Sequence, residues 1–337
     1  MTNILKVLFV SGILMLSMNT LFARHTEQHE MTDIDDIEEI VIQVTGIAKI
    51  SLGLDFVSMK TEICSHGGDM LMVDLIKDVS FSRPSIFPDV KLEKSGKRLK
   101  LYFEKNGNVK LDFFRSGKIL FDVRIPESFK GKVRVVSSIH NVIIRDLSVA
   151  ELVVNNQVGK TEIQDIEADN LEVDNATGNL SIDNIKCKVG QFKCATGNMK
   201  CGDLFVDYGE FHNAAGNIVI QSLVAENSFV KNRSGSVKIE NISGKMLLKC
   251  SLGNLTARVS RFDQDIQVEN KTGSIKLMLP QDSAFNYNYT NGCGSVRFDF
   301  NRTQEINDSK ENVGSVNGGG PMLTASVSTG NLKILSY

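Results

Sequence analysis

Apolar and polar residues alternate along most of this chain, in a pattern that returns about every nineteen residues. When each repeat is numbered from a glycine, apolar residues follow two and four places later, as Leu180 and Ile182 follow Gly178. Alternation with a period of two is typical of a β-strand with one buried face. A further apolar position, seven places after the glycine at Ile185, breaks the alternation and predicts a bend. Another, fourteen places after it at Phe192, predicts a second inward face.

The glycines that open the repeats keep the nineteen-residue spacing at first and then drift by one or two residues. They are Gly159, Gly178, Gly197, Gly216, Gly235, Gly253, Gly273, Gly294 and Gly330. A fixed period of this length predicts a stacked-repeat fold, in which residues one period apart lie above one another. Extended backwards, the register reaches His140, where the apolar columns persist although the glycine is absent.

Asparagine is frequent on both sides of these glycines. It stands three places before the glycine at Asn175 and Asn232, and directly after it at Asn179 and Asn198. Asn and Gly tolerate positive φ, and side-chain amides satisfy the backbone groups of turns. The repeated phrase therefore predicts a corner of each coil. We expect the stacked asparagines to form a ladder of amide hydrogen bonds from coil to coil.

Three repeat folds are candidates for a chain with a period of this length. Leucine-rich repeats need L-x-x-L-x-L spacing and a helical or turn-rich half, whereas these repeats show strand spacing throughout. A left-handed hexapeptide helix needs a period divisible by six. We therefore predict an all-β fold, a parallel β-helix (β-solenoid) of about nine or ten coils, right-handed because parallel crossovers nearly always are. At about 4.8 Å between strands, the rod would be on the order of 45 Å long.

The register also divides the chain. We expect a signal peptide at 1–23, a polar lead-in at 24–37, an N-terminal cap and irregular β-coils at 38–135, regular solenoid repeats at 136–300, a polar loop at 301–320 and C-terminal strands at 321–337. Lys6, the apolar run VLFVSGILML and the small residue Ala23 are features of a cleaved export signal. The run is short for a membrane span, which needs about twenty residues. We expect an exported protein of the periplasm, the cell surface or the extracellular space, and not an integral membrane protein.

Composition limits the expected partners and chemistry. The 38 basic and 40 acidic residues give a net charge of −2, without the basic excess typical of nucleic-acid binding. Cys194 and Cys250 share a column three coils apart, roughly 14 Å at strand spacing, which is too far for a disulfide. Cys201 occupies an apolar column, so we expect it in the core. Cys187, Cys194 and Cys201 are spaced by seven, which matches no common zinc pattern.

The remaining polar residues suggest no reaction centre. His212 follows Phe211 near a turn, and we expect it at a solvated corner. The acidic run DIDDIEE (33–39) lacks the glycine and the spacing of a calcium loop, so we expect a solvated lead-in. We assign no catalytic, cofactor-binding or metal-binding residues and expect no cofactor.

Several longer segments resemble a known family. They are DIEEIVIQV (36–44), GKILFDVRIPESFKGKVRVVSS (117–138), the repeated corners in which T-G is followed two and four places later by apolar residues, KTGSIKLMLPQDSAFNYNYTNGCGSVRFDF (271–300) and the closing GGGPMLTASVSTGNLKI. In this order they resemble the putative-adhesin β-strand-repeat family, the domain of unknown function 4097 and its relatives, over residues 35–337. The resemblance implies a β-helical fold in exported or envelope-associated proteins, a role in adhesion, and no shared catalytic residues. His140 departs from it, since the family pattern favours glycine there.

Three functions are consistent with this sequence. The first is a non-enzymatic exported scaffold, with an adhesin-like surface that binds an unknown protein or glycan of the cell envelope. The second is a polysaccharide-processing β-helix enzyme, which would need a non-repeating cluster of acids or bases in a groove. The third is an accessory role in envelope stress. We favour the scaffold because folding accounts for every recurrent residue, and the sequence leaves the oligomeric state open.

Overall fold

The computed structural model describes residues 24–44, 57–79, 89–104, 117–301, 306–308 and 311–337. Over these residues the fold is all-β and contains no helix. Consequently the described part of the chain has no helix long and apolar enough to cross a membrane. The expected signal peptide at 1–23 lies outside the described residues.

Twenty-three strands make up this part of the chain, and the longest run around a whole coil. They are β1 (Arg24–Asp33), β2 (Glu39–Val44), β3 (Val57–His66), β4 (Met70–Val79), β5 (Asp89–Ser95), β6 (Arg98–Glu104), β7 (Gly117–Pro126), β8 (Lys132–Ile139), β9 (Asn141–Val158), β10 (Thr161–Thr177), β11 (Leu180–Thr196), β12 (Met199–Ala215), β13 (Ile218–Ser234), β14 (Val237–Leu252), β15 (Leu255–Arg261), β16 (Ile266–Thr272), β17 (Ile275–Leu279), β18 (Phe285–Cys293), β19 (Val296–Phe298), β20 (Ile306–Asp308), β21 (Glu311–Val316), β22 (Met322–Thr329) and β23 (Leu332–Ser336).

Neighbouring coils pair in parallel, and the pairing follows the sequence repeat. Leu180, Met199, Ile218 and Val237 are successive register partners, and all four are buried. The apolar columns that the periodicity places inward therefore form one continuous core along the solenoid. This confirms the predicted parallel β-solenoid.

Each regular coil has three sides. Pairing between β10 and β11 skips residues 165, 169 and 176, which separates a first side (161–164), a second side (166–168) and a third side (170–175). At the first bend, Asp146, Asp165 and Asn184 have φ between 50° and 55°. Asp and Asn tolerate this left-handed conformation better than other residues with side chains. The bend predicted before the apolar position at Ile185 is thus present.

The ladder of first sides has twelve levels, more than the nine or ten coils expected, because strands outside the regular repeat also stack. In spatial order the levels carry Phe121, Thr61, Val142, Thr161, Leu180, Met199, Ile218, Val237, Leu255, Ile275, Leu332 and Val296.

Spatial order departs from chain order at both ends. At the N-terminal end, β2 lies between β6 and β8, and β3 lies between β7 and β9. At the other end, β22 lies between β16 and β18, and β23 lies between β17 and β19. β2, β3, β22 and β23 are therefore hydrogen-bonded on both edges.

Antiparallel strands lie beyond the outermost parallel levels. On the N-terminal side, β5 pairs with β6, β4 pairs with β7, and β1 pairs with β4. On the C-terminal side, β21 pairs with β18 and β20 pairs with β21. The segment 301–320, expected as a polar loop, thus contains two short strands.

Candidate functional site

Each glycine corner lies closely against the coil before it. Gly216 has φ +131°, and a Cβ at this position would lie 2.0 Å from the carbonyl oxygen of Gly197. Any residue other than glycine would be strained by this φ and would collide with the stacked backbone. Backbone geometry therefore explains the recurrent glycines, and they need no chemical role.

The asparagines form two ladders of amide hydrogen bonds from coil to coil, as predicted, although these amides bond to main-chain groups of the neighbouring coil. In the buried column, Nδ2 of Asn232 donates to the carbonyl oxygens of Gly216 at 3.0 Å and Gly235 at 2.9 Å. In the exposed column, Oδ1 of Asn198 accepts a hydrogen bond from the main-chain N–H of Asn217 at 2.9 Å. The amides bond to main-chain groups because the corner leaves carbonyls and N–H groups without a strand partner.

His140 occupies the place of the glycine at the first regular corner and is buried. Its Nδ1 lies 3.5 Å from Oγ of Ser137, and its main-chain oxygen accepts from Nδ2 of Asn156 at 3.1 Å. The backbone of His140 does not adopt the positive φ of the glycine corners, so a side chain fits here. Burial lowers the pKa of His140 to about 4, because a charged ring is poorly solvated inside the solenoid. The ring is therefore neutral near pH 7 and fills the corner.

All six cysteines lie in the described residues, and all are free thiols. Cys194 and Cys250 are three levels apart, as expected, and their Sγ atoms donate to glycine carbonyls at 3.4 and 3.5 Å. Cys201 is fully buried, which confirms its predicted place in the core. Burial raises the pKa of Cys187 to about 12, so this thiol stays protonated and unreactive near neutral pH.

His212 does not lie at a solvated corner, and this prediction is wrong. It lies within β12 on the outer face of the third side, because the strand continues to residue 215. Its Nε2 is 2.5 Å from Oε1 of Glu210, and the ring contacts Phe229 edge-on at 5.2 Å. The pair stands on one outward face of a strand, two residues apart.

The acidic lead-in is bound to the N-terminal hairpin of β5 and β6. Lys94 pairs with Asp36 at 2.6 Å, and Arg98 pairs with Glu39 at 2.6 Å. The hydrogen bond from Lys94 lowers the pKa of Asp36. These carboxylates thus help to hold the cap in place. Within the described residues, no group of three or more His, Cys, Asp or Glu side chains is arranged to hold a metal ion.

The outward column of the second side changes from polar and charged residues to apolar residues halfway along the solenoid. In stacked order it carries Ser148, Glu167, Lys186, Phe205, Val224 and Ser243. Glu167 and Lys186 form an ion pair at 2.7 Å, whereas Phe205 is 50% exposed and Val224 is 44% exposed. Tyr208, just beyond the next bend, is 41% exposed. We call Phe205, Tyr208 and Val224 the aromatic patch.

Acidic residues flank this patch. A shallow groove of about 520 Å³ is lined by Phe205 and Val224 and bordered by Asp207 and Glu226. Among the described residues, neither carboxylate forms an ion pair, although Asp169 and Lys188 in the same column pair at 2.7 Å. An exposed apolar surface beside unpaired acidic charge suits a partner that offers an apolar side chain next to a basic group.

The repeat pattern alone did not identify the aromatic patch. The signal was nevertheless present, since Phe205 and Val224 stand where the preceding repeats have serine, glutamate and lysine. Two successive apolar residues in a polar outward column cannot be explained by the core.

Solved structures similar to this chain are described as adhesion proteins, at low sequence identity. A putative cell adhesion protein from Clostridium sporogenes is 10% identical, with 93% of this chain and 100% of that chain covered and a TM-score of 0.23. A putative adhesin from Bacteroides fragilis is 10% identical, with 91% and 96% covered and a TM-score of 0.36. One from Parabacteroides merdae is 12% identical, with 91% and 95% covered and a TM-score of 0.34. At these TM-scores the superpositions support no argument about function.

No curated protein matches the chain. A family model does match, and it is described as Toastrack DUF4097, with residues 85–335 aligned. These residues are more than half of the chain, and they include the regular solenoid and its C-terminal strands. The chain therefore belongs to the Toastrack DUF4097 family.

Proposed function

We propose that this protein is a non-enzymatic, exported scaffold with an adhesin-like surface, which binds a protein or glycan of the cell envelope. One observation carries the proposal: the inward columns repeat from coil to coil, while an outward column changes from charged to apolar at Phe205 and Val224. Folding requires the inward residues and does not require these two. Their exposure is therefore best explained by a partner.

The aromatic patch has the properties of a binding surface. Exposed Phe, Tyr and Val side chains in one cluster are characteristic of interaction sites. They lie on β12 and β13, two central strands that pair along the whole coil. A rigid sheet loses little conformational entropy on binding, so more of the contact energy is available for affinity.

Export is part of this proposal. The features of residues 1–23 support it, and so does the family resemblance to envelope-associated proteins. The periplasm and the cell surface both fit such a scaffold.

Binding of the purified protein to intact cells and to isolated envelopes tests the proposal. The double variant Phe205→Ser/Val224→Ser removes the apolar surface without affecting the core, and we expect at least a tenfold weaker association. Lys249→Ser/Glu269→Ser is the matched control, because it removes an outward ion pair on the third side, outside the groove, and should retain binding. Circular dichroism should show the same β-rich spectrum for all three proteins.

Two results would overturn the proposal. One is equal binding by the aromatic-patch variant and the unmodified protein, or no binding by either. The other is release of reducing or unsaturated sugars from envelope polysaccharides by the purified protein, which would indicate an enzyme.

A further inference from the structure

A row of basic side chains runs along the outer face of the first side. The residues three places after each glycine stack in the order Lys200, Val219, Lys238, Thr256, Lys276, Lys333 and Arg297. All five basic residues are exposed. We call Lys200, Lys238, Lys276, Lys333 and Arg297 the basic row. The position of β23 between β17 and β19 completes the basic row, because it places Lys333 between Lys276 and Arg297.

Most of this charge is not neutralised by the protein. Lys238 pairs with Glu240 at 2.6 Å, and Arg297 pairs with Asp299 at 2.8 Å. Lys200, Lys276 and Lys333 form no ion pair among the described residues. The nearby Arg258 adds a further cation, held 4.0 Å above the ring of Tyr337.

Elsewhere the solenoid places opposite charges on adjacent levels. Lys186 lies beside Glu167 at 2.7 Å, Lys188 beside Asp169 at 2.7 Å, and Lys249 beside Glu269 at 2.9 Å. In the basic row, Lys276 and Lys333 are instead direct register partners, as are Lys333 and Arg297. Like charges directly opposite each other destabilise a sheet. An external anion would offset this repulsion.

The shape of the row selects the kind of anion. Levels are about 4.8 Å apart, so the row is a single file roughly 29 Å long, parallel to the solenoid axis. A linear polymer with a negative group on successive or alternate units can follow such a file. A membrane or a nucleic-acid duplex would contact a broad positive surface, and the chain as a whole has a net charge of −2.

We propose that the basic row binds a linear acidic polysaccharide, carboxylated or sulfated, laid along the solenoid axis. Lys276, Lys333 and Arg297 supply the continuous part of the site, and Lys238 and Lys200 extend it. This surface is separate from the aromatic patch. The inference rests on the proposed function, because it narrows the glycan alternative of that function to one chemical class.

The test compares the purified protein with Lys276→Gln/Lys333→Gln on immobilised polygalacturonate and heparin, which represent the carboxylated and sulfated classes. We expect about tenfold weaker binding by the variant and a shallower dependence on salt, because two charge contacts are lost. Lys186→Gln/Lys188→Gln is the matched control, since it removes two lysines from the second side and the bend that follows it. The control should bind within about twofold of the unmodified protein.

Removal of the like charges on adjacent levels should leave the melting temperature unchanged or slightly higher. Thermal denaturation of the variant measures this, and loss of binding without loss of stability is then not due to misfolding. Absence of binding to both polysaccharides, or an equal loss in the control, would overturn the proposal. Tighter binding to double-stranded DNA or to phosphatidylglycerol vesicles would show that the ligand class is wrong. Phe205→Ser/Val224→Ser should retain polysaccharide binding, so a failure at the aromatic patch remains distinguishable from a failure here.

Discussion

The buried histidine at the first corner should make the solenoid sensitive to mild acid. His140 has its pKa lowered from 6.5 to about 4 by burial. A histidine with a lowered pKa stabilises the fold fully above pH 6.5, and this contribution is lost as pH falls towards 4, because the unfolded chain takes up the proton first. The whole shift corresponds to about 3 kcal/mol, of which about 2 kcal/mol is lost by about pH 5.

His140→Gln removes the titrating ring and keeps a neutral polar side chain near Ser137. We expect the melting temperature of the unmodified protein to fall between about pH 7.5 and about pH 5, and the fall to be about 3 °C smaller in the variant. Thermal denaturation followed by far-ultraviolet circular dichroism measures both values.

Two results would refute this reasoning. One is an identical loss of stability in the unmodified protein and in His140→Gln. The other is an NMR titration of the folded protein in which the His140 ring protonates near its ordinary pKa of 6.5, since burial would then impose no penalty on the charged ring.

Two further predictions concern the corners. Gly216→Ala should lower the free energy of unfolding by about 3 kcal/mol or more, because its Cβ would lie 2.0 Å from the Gly197 oxygen at φ +131°. Urea denaturation measures this loss. Gly67→Ala is the control, because Gly67 has open space around it, and it should be as stable as the unmodified protein. Asn232→Ala should cost about 2 kcal/mol through the loss of two buried hydrogen bonds. Asn232→Cys should lose less stability, since cysteine in this column bonds to a glycine carbonyl in two other coils. An equal loss of stability in urea for both variants would show that the hydrogen bond to the glycine carbonyl does not stabilise the corner.

The inward half of the fold could be predicted from the sequence because burial acts on one position at a time. Leu180, Met199 and Ile218 lie in one buried column that is apolar on most coils, and this recurrence gave both the strands and the stacking. The glycine corners were predictable for the same reason, since a single residue type satisfies the required φ and the close backbone approach.

The outward surfaces were harder to predict, since nothing in the fold requires a particular residue there. The basic row in particular depends on Lys333, which is 57 residues from its register partner Lys276. The repeat places both lysines three residues after a glycine, but it does not place them on adjacent levels. Their contact follows from the intercalation of β23, which only the topology shows.

The two intercalated ends share a local signal. After β7 the chain skips one level of the stack before β8, and after β17 it skips one level before β18. β2 and β3 fill the first gap, and β22 and β23 fill the second. Each skip begins with a proline turn, in which the N–H of Phe129 bonds to the oxygen of Pro126 and that of Ser283 to Pro280.

Proline has no N–H to donate to the strand ladder, so it marks the end of the strand. The turn that follows replaces the short second side that would lead to the adjacent level. The inserted strands gain partners on both edges, and the outermost parallel strands then meet the antiparallel strands β4, β5 and β21. A solenoid whose last coils simply ended would expose long parallel edges, which tend to pair with other chains. Intercalation and antiparallel capping together protect most of these edges, and this explains why the regular repeat is abandoned at both ends of the rod.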